Sequence, residues 1–210
     1  MYIPPAFKEE NPERIEEFLR QHPFATLIST NGAAPIATHV PLLHVSETGG
    51  RPAKLMGHVA KANPQWQQFE SGETVLAIFH GPHTYISPNW YEAEVAVPTW
   101  NYAAVHVYGT PSLVTSHDAL WDQLQNMVET FEATQPQPWS IQLPADVQEK
   151  LLDMIVGFEI EITHIEAQFK LGQNRSSADR LRMLSQLESS DTTNNKEIGR
   201  LVRQALDGEK

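Results

Sequence analysis

The stretch GFEIEITHIEAQF, residues 157–169, alternates apolar with charged or polar side chains. A period of two puts one set of side chains on each side of an extended backbone, so this run reads as a strand with one packed and one wet face. It cannot be a helix with a coherent apolar stripe. The architecture must therefore include a sheet that faces water on one side.

The rest of the chain supplies more strands of the same kind. FATLIST and PIATHVPLLHV flank an Asn31-Gly32 dipeptide, the turn chemistry of a tight hairpin, and SETGGRPAK is a second turn leading to LMGHV. TVLAIFHG, YAAVHVYG and PSLVT read as further strands. Helices are expected at NPERIEEFLRQHP, with Asn11 as cap and Ile15, Phe18 and Leu19 on one face, and at ANPQWQQF behind Asn63-Pro64. Ser116 caps a third, HDALWDQLQNMVETF, with Leu120, Leu124, Val128 and Phe131 as its stripe; TQPQPW breaks the chain before ADVQEKLLDMIV. Mostly antiparallel strands with helices at the periphery and few crossovers predict a mainly β, α+β fold built on a closed or partly open barrel. Residues 1–175 are expected to form the barrel domain and 176–210 a helical tail.

Charge and composition exclude several function classes. The formal net charge of −11 opposes general coating of nucleic acid, yet residues 170–210 hold eight Lys and Arg against six acids, while residues 1–169 hold seven against twenty. If DNA is contacted, the tail is the segment expected to do it, through Arg175, Arg180, Arg182, Lys196, Arg200 and Arg203. Its two helices, SADRLRMLSQL and NNKEIGRLVRQAL, are separated by ESSDTTNN, longer than the turn of a helix-turn-helix reader, so simple packing helices are favoured. The start, MYIPPAFKEENPERIEEF, reaches charged residues before an apolar run forms, which predicts neither a secretory signal nor a membrane span and places the protein in the cytoplasm. There is no Cys, so disulfides and thiolate chemistry are absent. The nine His residues show no zinc-ligand spacing, so no metal site is expected. Gly-x-Ser-x-Gly, P-loop and dinucleotide fingerprints are missing as well.

Three segments carry candidate chemistry. GPHTYISPNWYEAEVAVPTWNYAAVHVYG, residues 81–109, crowds Tyr85, Trp90, Tyr91 and Trp100 among Pro82, Pro88 and Pro98, as a rim around a flat ligand or a structural loop would. In GHVAKANPQW, Lys61 stands at a strand end just before a helix start, an arrangement that suits a phosphate, although taken alone the residues favour a plain helix start beside a solvated lysine. FKLGQNRS gathers Lys170, Gln173, Asn174 and Arg175 into either a donor set or a polar turn.

The order and spacing of MYIPPAF, HPFATLIS, THVPLL, GHVAKANPQW, LAIFHGPHTYISPNWY, VPTWNYAAVHVYG, IVGFEIEI and FKLGQN closely resemble the PaiB family of FMN-binding negative transcriptional regulators. The resemblance implies an FMN-binding split β-barrel, related to the pyridoxamine-phosphate-oxidase and flavin-reductase group, in a homodimer with flavin at the interface. Carried onto this sequence, it implies Lys61 with His58 and Asn63 at the flavin phosphate, and Thr38, His39, Val40 and Pro41 at the ring edge. Thr99, Trp100 and Asn101 would approach the ring, and Lys170 and Gln173 would reach in from the partner subunit. The last motif departs from the family's Gly-Lys-Trp-Lys-Leu-Ser-Gln-Asn at Ala167, Gln168, Phe169 and Gly172. The alternative is a flavin- or haem-dependent oxidoreductase with His39, His58 or His83 facing the cofactor, and a barrel that has lost its cofactor is a third reading.

Overall fold

Seven strands follow the chain as β1 (Phe24–Ser29), β2 (Ile36–Pro41), β3 (Leu43–Val45), β4 (Lys54–Ala60), β5 (Val75–Ile86), β6 (Thr99–Val114) and β7 (Ile155–Lys170). The helices are α1 (Pro12–Gln21), α2 (Trp66–Phe69), α3 (His117–Glu132), α4 (Ala145–Leu152), α5 (Ser177–Ser189) and α6 (Thr193–Gly208). The computed structural model describes residues 1–30 and 34–208, so the expected Asn31-Gly32 turn lies outside the described residues. The strands form one sheet in the order β2-β1-β5-β6-β7-β4-β3, with antiparallel ladders from β1 to β2 and β5, from β3 to β4 and from β4 to β7. This is the mainly β, peripherally helical architecture expected. No helix among the described residues is long and apolar enough to cross a membrane.

Several expectations are corrected. PIATHVPLLHV is not one strand: it breaks at Leu42 into β2 and β3, at opposite ends of the sheet order. Pro41 has no N–H to continue a ladder, and Leu42 turns its buried side chain inward while its amide donates to the Pro23 carbonyl at 2.9 Å. The aromatic stretch is mostly strand, because β5 runs on through Gly81-Pro82 to Ile86 and β6 begins at Thr99. β1 pairs with β5 only at Leu76–Ile78, so Pro82 lies beyond that ladder, where its missing donor leaves no gap in it. YAAVHVYG and PSLVT are one strand, since Gly109 is needed for close approach and not for a turn. A Cβ there would collide with the Glu161 carbonyl oxygen. Finally, α3 buries Leu120, Gln123 and Met127, not the expected Leu124 and Val128 stripe, and Gln123 Nε2 reaches the Gly57 carbonyl at 2.7 Å.

The chain divides into two compact units. One comprises Leu19–Phe79 and Val107–Ile165. Its core is built from alternate residues of the strands, Leu27, Leu55, Phe79, Val107, Phe158 and Ile160, with Phe69 of α2 edge-on to Phe158 at 5.0 Å. Burying each such side chain contributes about 1.5–3 kcal/mol, which outweighs the low intrinsic stability of the one-turn helix carrying Phe69. Gln65 fastens the open end of the sheet in this unit. Its Nε2 donates to the Leu27 carbonyl and Ser29 Oγ, both at 3.0 Å, and to the Ile36 carbonyl at 3.3 Å, joining β1 to β2.

The other unit comprises Met1–Phe18, His80–His106 and Glu166–Lys210. Phe18 tilts against Phe169 at 5.2 Å, and Met183, Leu184 and Leu187 of α5 pack with Ile198, Leu201 and Val202 of α6. The helices are joined by Ser190–Thr192, a three-residue link and not the long linker read from ESSDTTNN. Ser176 caps α5 through the Asp179 amide at 3.1 Å, and Ser190 stops it by taking an extended backbone.

Candidate functional site

The twelve expected site residues fall into two groups, one in each unit. Thr38, His39, Val40, Pro41, His58, Lys61 and Asn63 share the first unit; Thr99, Trp100, Asn101, Lys170 and Gln173 share the second.

In the first group the pleat of β2 decides who meets whom. Thr38 pairs across the ladder with Leu27 and Val40 with Ala25, so both face the packed side, whereas exposed His39 pairs with Thr26 on the other. Asn63 joins the packed side: its Nδ2 donates to Thr38 Oγ1 at 2.9 Å, and its Oδ1 accepts the Gln65 amide at 3.0 Å. The Thr38 hydroxyl thereby keeps its proton for another acceptor. Lys61 stands two residues earlier, exposed, and among the described residues its ammonium has no hydrogen-bond or ion-pair partner. Its backbone is fixed at both ends, by the Met154 carbonyl on its amide (2.8 Å) and by Trp66 Nε1 on its carbonyl (3.0 Å). The helix behind it has only the four residues Trp66–Phe69, so the donors here are Lys61, Thr38 and Asn63 and not a helix dipole. On the opposite face His39 Nδ1 lies 3.0 Å from Thr26 Oγ1, and its ring stacks on Phe24 at 6.2 Å. Sequence reasoning missed Phe24. β2 is an edge strand, so the backbone groups of its alternate residues have no ladder partner on the outer side.

His58 belongs to a different setting. It faces an apolar hollow of about 480 Å³ together with Trp121, Leu124 and Val128 of α3, Leu151 of α4 and Trp139. Its Nδ1 is buried without a partner, and burial lowers its pKa, so at neutral pH it is an uncharged imidazole.

In the second group Lys170 Nζ donates to Thr99 Oγ1 at 2.7 Å and lies 5.8 Å from the Phe7 ring centre. Gln173 is committed to its own turn, accepting the Leu171 amide and donating to the Phe169 carbonyl. Asn101 is 1% exposed, with Nδ2 3.3 Å from the Met183 sulfur. Trp100 is exposed and stands against His83 and Tyr85, at 6.3 and 6.2 Å. With His80, Tyr102 and His106 it lines a hollow of about 300 Å³. His106 has a buried, unpartnered Nδ1, and its pKa is lowered first by burial and then by the amino terminus, against the pull of Glu166. Tyr102 and His106 were legible, since alternation from Trp100 puts both on one face of β6. Among the described residues no cluster of His, Asp or Glu is arranged to hold a metal.

Residues 1–164 match the family described as "Putative FMN-binding domain". "Protease synthase and sporulation protein PAI 2" of Bacillus subtilis (strain 168) is 40% identical over 208 residues, 98% of this chain and 98% of that protein. The chain belongs to the PaiB family. Solved structures place the fold: the FAD and haem binding protein from Mycobacterium smegmatis superposes with a TM-score of 0.61 at 14% identity, over 83% of this chain and 78% of its own. The flavocytochrome Anf3 from Azotobacter vinelandii superposes with a TM-score of 0.60 at 13% identity, over 78% and 69%. The PaiB fold seen here is therefore a split β-barrel. The donor set of the first unit, a Thr38 hydroxyl held by the Asn63 amide with an exposed ammonium two residues before Asn63, has the chemistry that a phosphate-bearing flavin requires.

Proposed function

We propose that this PaiB-family chain binds FMN by its phosphate at the junction of Thr38 and Asn63, with Lys61 supplying the charge. The hydrogen bond from Asn63 Nδ2 to Thr38 Oγ1 carries the reading, because it leaves the Thr38 proton for an acceptor, with exposed Lys61 two residues before Asn63. The edge of β2 at His39, Val40 and Pro41 then offers the flavin's polar ring edge the backbone groups that alternate onto its outer side, Pro41 contributing no donor. Support comes from the family match, which includes all of these residues. The protein works as a cytoplasmic homodimer, in which exposed Tyr85 and Trp100, in contact with one another, and the exposed Val95 and Val97 are the apolar side chains offered to a second copy, with Lys170 directed to the partner's flavin and Gln173 fixing the turn that follows it. Its role is negative regulation of transcription, in keeping with the PAI 2 relative, whose name ties that protein to protease synthesis and sporulation.

FMN and riboflavin titrations, read by quenching of flavin fluorescence, test this. FMN should bind more tightly than riboflavin, and Lys61→Ala should weaken FMN by about tenfold, the value of one charge-assisted hydrogen bond at an exposed position, while leaving riboflavin unchanged. Equal affinities for the two flavins would remove the phosphate role and return Lys61 to a solvated lysine. A second reading, haem-dependent redox chemistry, has His58 in its favour, an uncharged imidazole in an apolar hollow; a Soret band in the purified protein would select it.

A further inference from the structure

The 480 Å³ hollow of the first unit is not part of the proposed phosphate site. α3 contributes Trp121, Leu124 and Val128, spaced by three and four residues and so aligned on one face. α4 contributes Leu151 and Leu152, and the irregular segment between the helices contributes Trp139, whose amide donates to Glu132 Oε2 at 2.9 Å. Trp139, Leu151 and Met154 are exposed, a large apolar area at one mouth for a chain of this charge. The volume lies in the range of small-molecule sites.

The charge around the hollow selects the ligand. None of the charged side chains lines the hollow itself; from His117 to Met154 the chain carries seven Asp and Glu against one Lys, and Lys61, whose amide bonds the Met154 carbonyl, adds one further cation nearby. That Lys150 pairs with Asp146 at 3.5 Å, and Asp153 is met by His117 at 3.4 Å. Glu132, outside the lining, accepts the Trp139 backbone amide and so holds its carboxylate next to that residue's main chain. The one titratable side chain within the wall, His58, is neutral, so nothing inside opposes a positive ligand. Two indole faces are the strongest cation–π partners among side chains, and each gains strength where water is excluded. An anionic amphiphile meets the acidic rim unfavourably, and a hydrophilic cation gains nothing from the apolar walls.

We infer that this hollow binds a lipophilic organic cation, an aromatic body on Trp121 and Trp139 with its ammonium toward Glu132. In a regulator this would be an effector site separate from the flavin.

The test uses the full chain with a matched pair of probes, 2-naphthylmethylammonium and 2-naphthylacetate, followed by calorimetry at low and moderate salt. The cation should bind saturably and at least about tenfold more tightly than the anion, with the gap narrowing as salt rises. Trp139→Ala should weaken the cation by about tenfold, and Glu132→Gln, which keeps an oxygen for the Trp139 amide, should narrow the preference without changing the melting temperature. Equal or tighter binding of naphthylacetate overturns the inference. So does an absence of saturable binding, including the case in which Trp139→Ala instead converts a dimer to a monomer and thereby assigns the hollow to a second copy. A Soret band abolished by His58→Ala would give the hollow to haem and overturn it as well. FMN affinity is the control, since it should be the same in Trp139→Ala and Glu132→Gln as in the parent whichever result is obtained.

Discussion

Replacing Gln65 by a glutamate should make the stability of this protein fall with rising pH, the reverse of ordinary acid unfolding. Gln65 is 0% exposed, and its Nε2 faces three acceptors, the carbonyls of Leu27 and Ile36 and the oxygen of Ser29, whose proton is committed to Gln68. Those neighbours also fix the amide's orientation, since its oxygen could accept from none of the three. In the Gln65→Glu variant a protonated carboxyl has one donor and can satisfy one acceptor, so below its pKa the loss is about 1–2 kcal/mol. An ionised carboxylate there would be buried among oxygens with no donor, so its folded pKa must rise well above the unfolded value of about 4.3. For a raised carboxyl, the relative stability is fully present below the unfolded pKa and is lost as pH climbs toward the folded one, at about 1.4 kcal/mol per unit. If the folded pKa reaches about 8, the variant loses a further 4–5 kcal/mol or so between pH 4.5 and 8. Urea unfolding of parent, Gln65→Glu and Gln65→Met across that range is the assay. Gln65→Met should show a pH-independent deficit of about 1–3 kcal/mol, because it removes both the donors and the unpartnered Oε1. A difference between parent and Gln65→Glu that stays flat from about pH 5 to 8 would falsify the reasoning, since it would mean that water reaches this position.

Gly109→Ala should cost at least about 3 kcal/mol or abolish soluble expression, because the new Cβ would meet the Glu161 carbonyl of the neighbouring strand and backbone cannot step aside as a side chain can; a thermal melt within a few degrees of the parent would refute it. Light scattering of the parent should give a dimer mass, and Trp100→Ser with Val97→Asp should shift it toward monomer while melting stays two-state; a parent that is monomeric at micromolar concentration removes the interface. Of the six cations proposed for DNA, Arg175 lies over Tyr91, Arg180 is buried, Arg182 and Arg203 pair with acids, and Arg200 is engaged within the protein, so of these Lys196 remains and any binding through the tail should show a log K against log salt slope no steeper than about −0.9. A slope of about −4 or beyond would place the contact elsewhere on the protein.

Most of the fold was legible because alternation and caps are local signals. Residues 157–169 read as a strand and are one, and Ser116 and Asn11 cap where expected, with Asn11 Oδ1 accepting the Glu13 amide at 2.9 Å. What failed was punctuation by Gly and Pro. Gly81-Pro82 and Gly109 look like breaks, yet they sit inside strands, because whether a Gly makes a turn or admits a neighbour's backbone depends on a partner far away in sequence. The α3 stripe failed for a related reason: Gln123 is buried by its bond to the Gly57 carbonyl, a contact no helical period can foresee. At the candidate site, Thr38 and Asn63 came from the family resemblance and the structure joins them. The setting of His58 was hidden because its wall comes from helices much later in the chain.

The aromatic segment that looked like a ligand rim has a second employment. Tyr91 carries Arg175 over its face at 4.6 Å and points its hydroxyl at the Met183 sulfur, 3.8 Å away, while Asn101 bonds the same sulfur. The Glu92 amide donates to buried Asp179 at 2.7 Å, the Glu92 carboxylate pairs with Arg182 at 2.7 Å, and Thr84 bonds Asn195. Rings, amides and charges of residues 84–101 are thus engaged in holding α5 and α6, and the outward rings Tyr85 and Trp100 stay open to a partner. The tail's net basic count follows from the same arrangement: Arg175 and Arg182 are placed to meet this segment, Arg180 is 3% exposed, and Arg203 closes the helix pair on Glu188. A truncation after Gly172 would therefore uncover Tyr91 and Asn101 as well as remove cations, so loss of DNA binding in such a variant carries no information about phosphate contacts. Charge reversal at Lys196, which takes part in none of these internal bonds, separates the two effects.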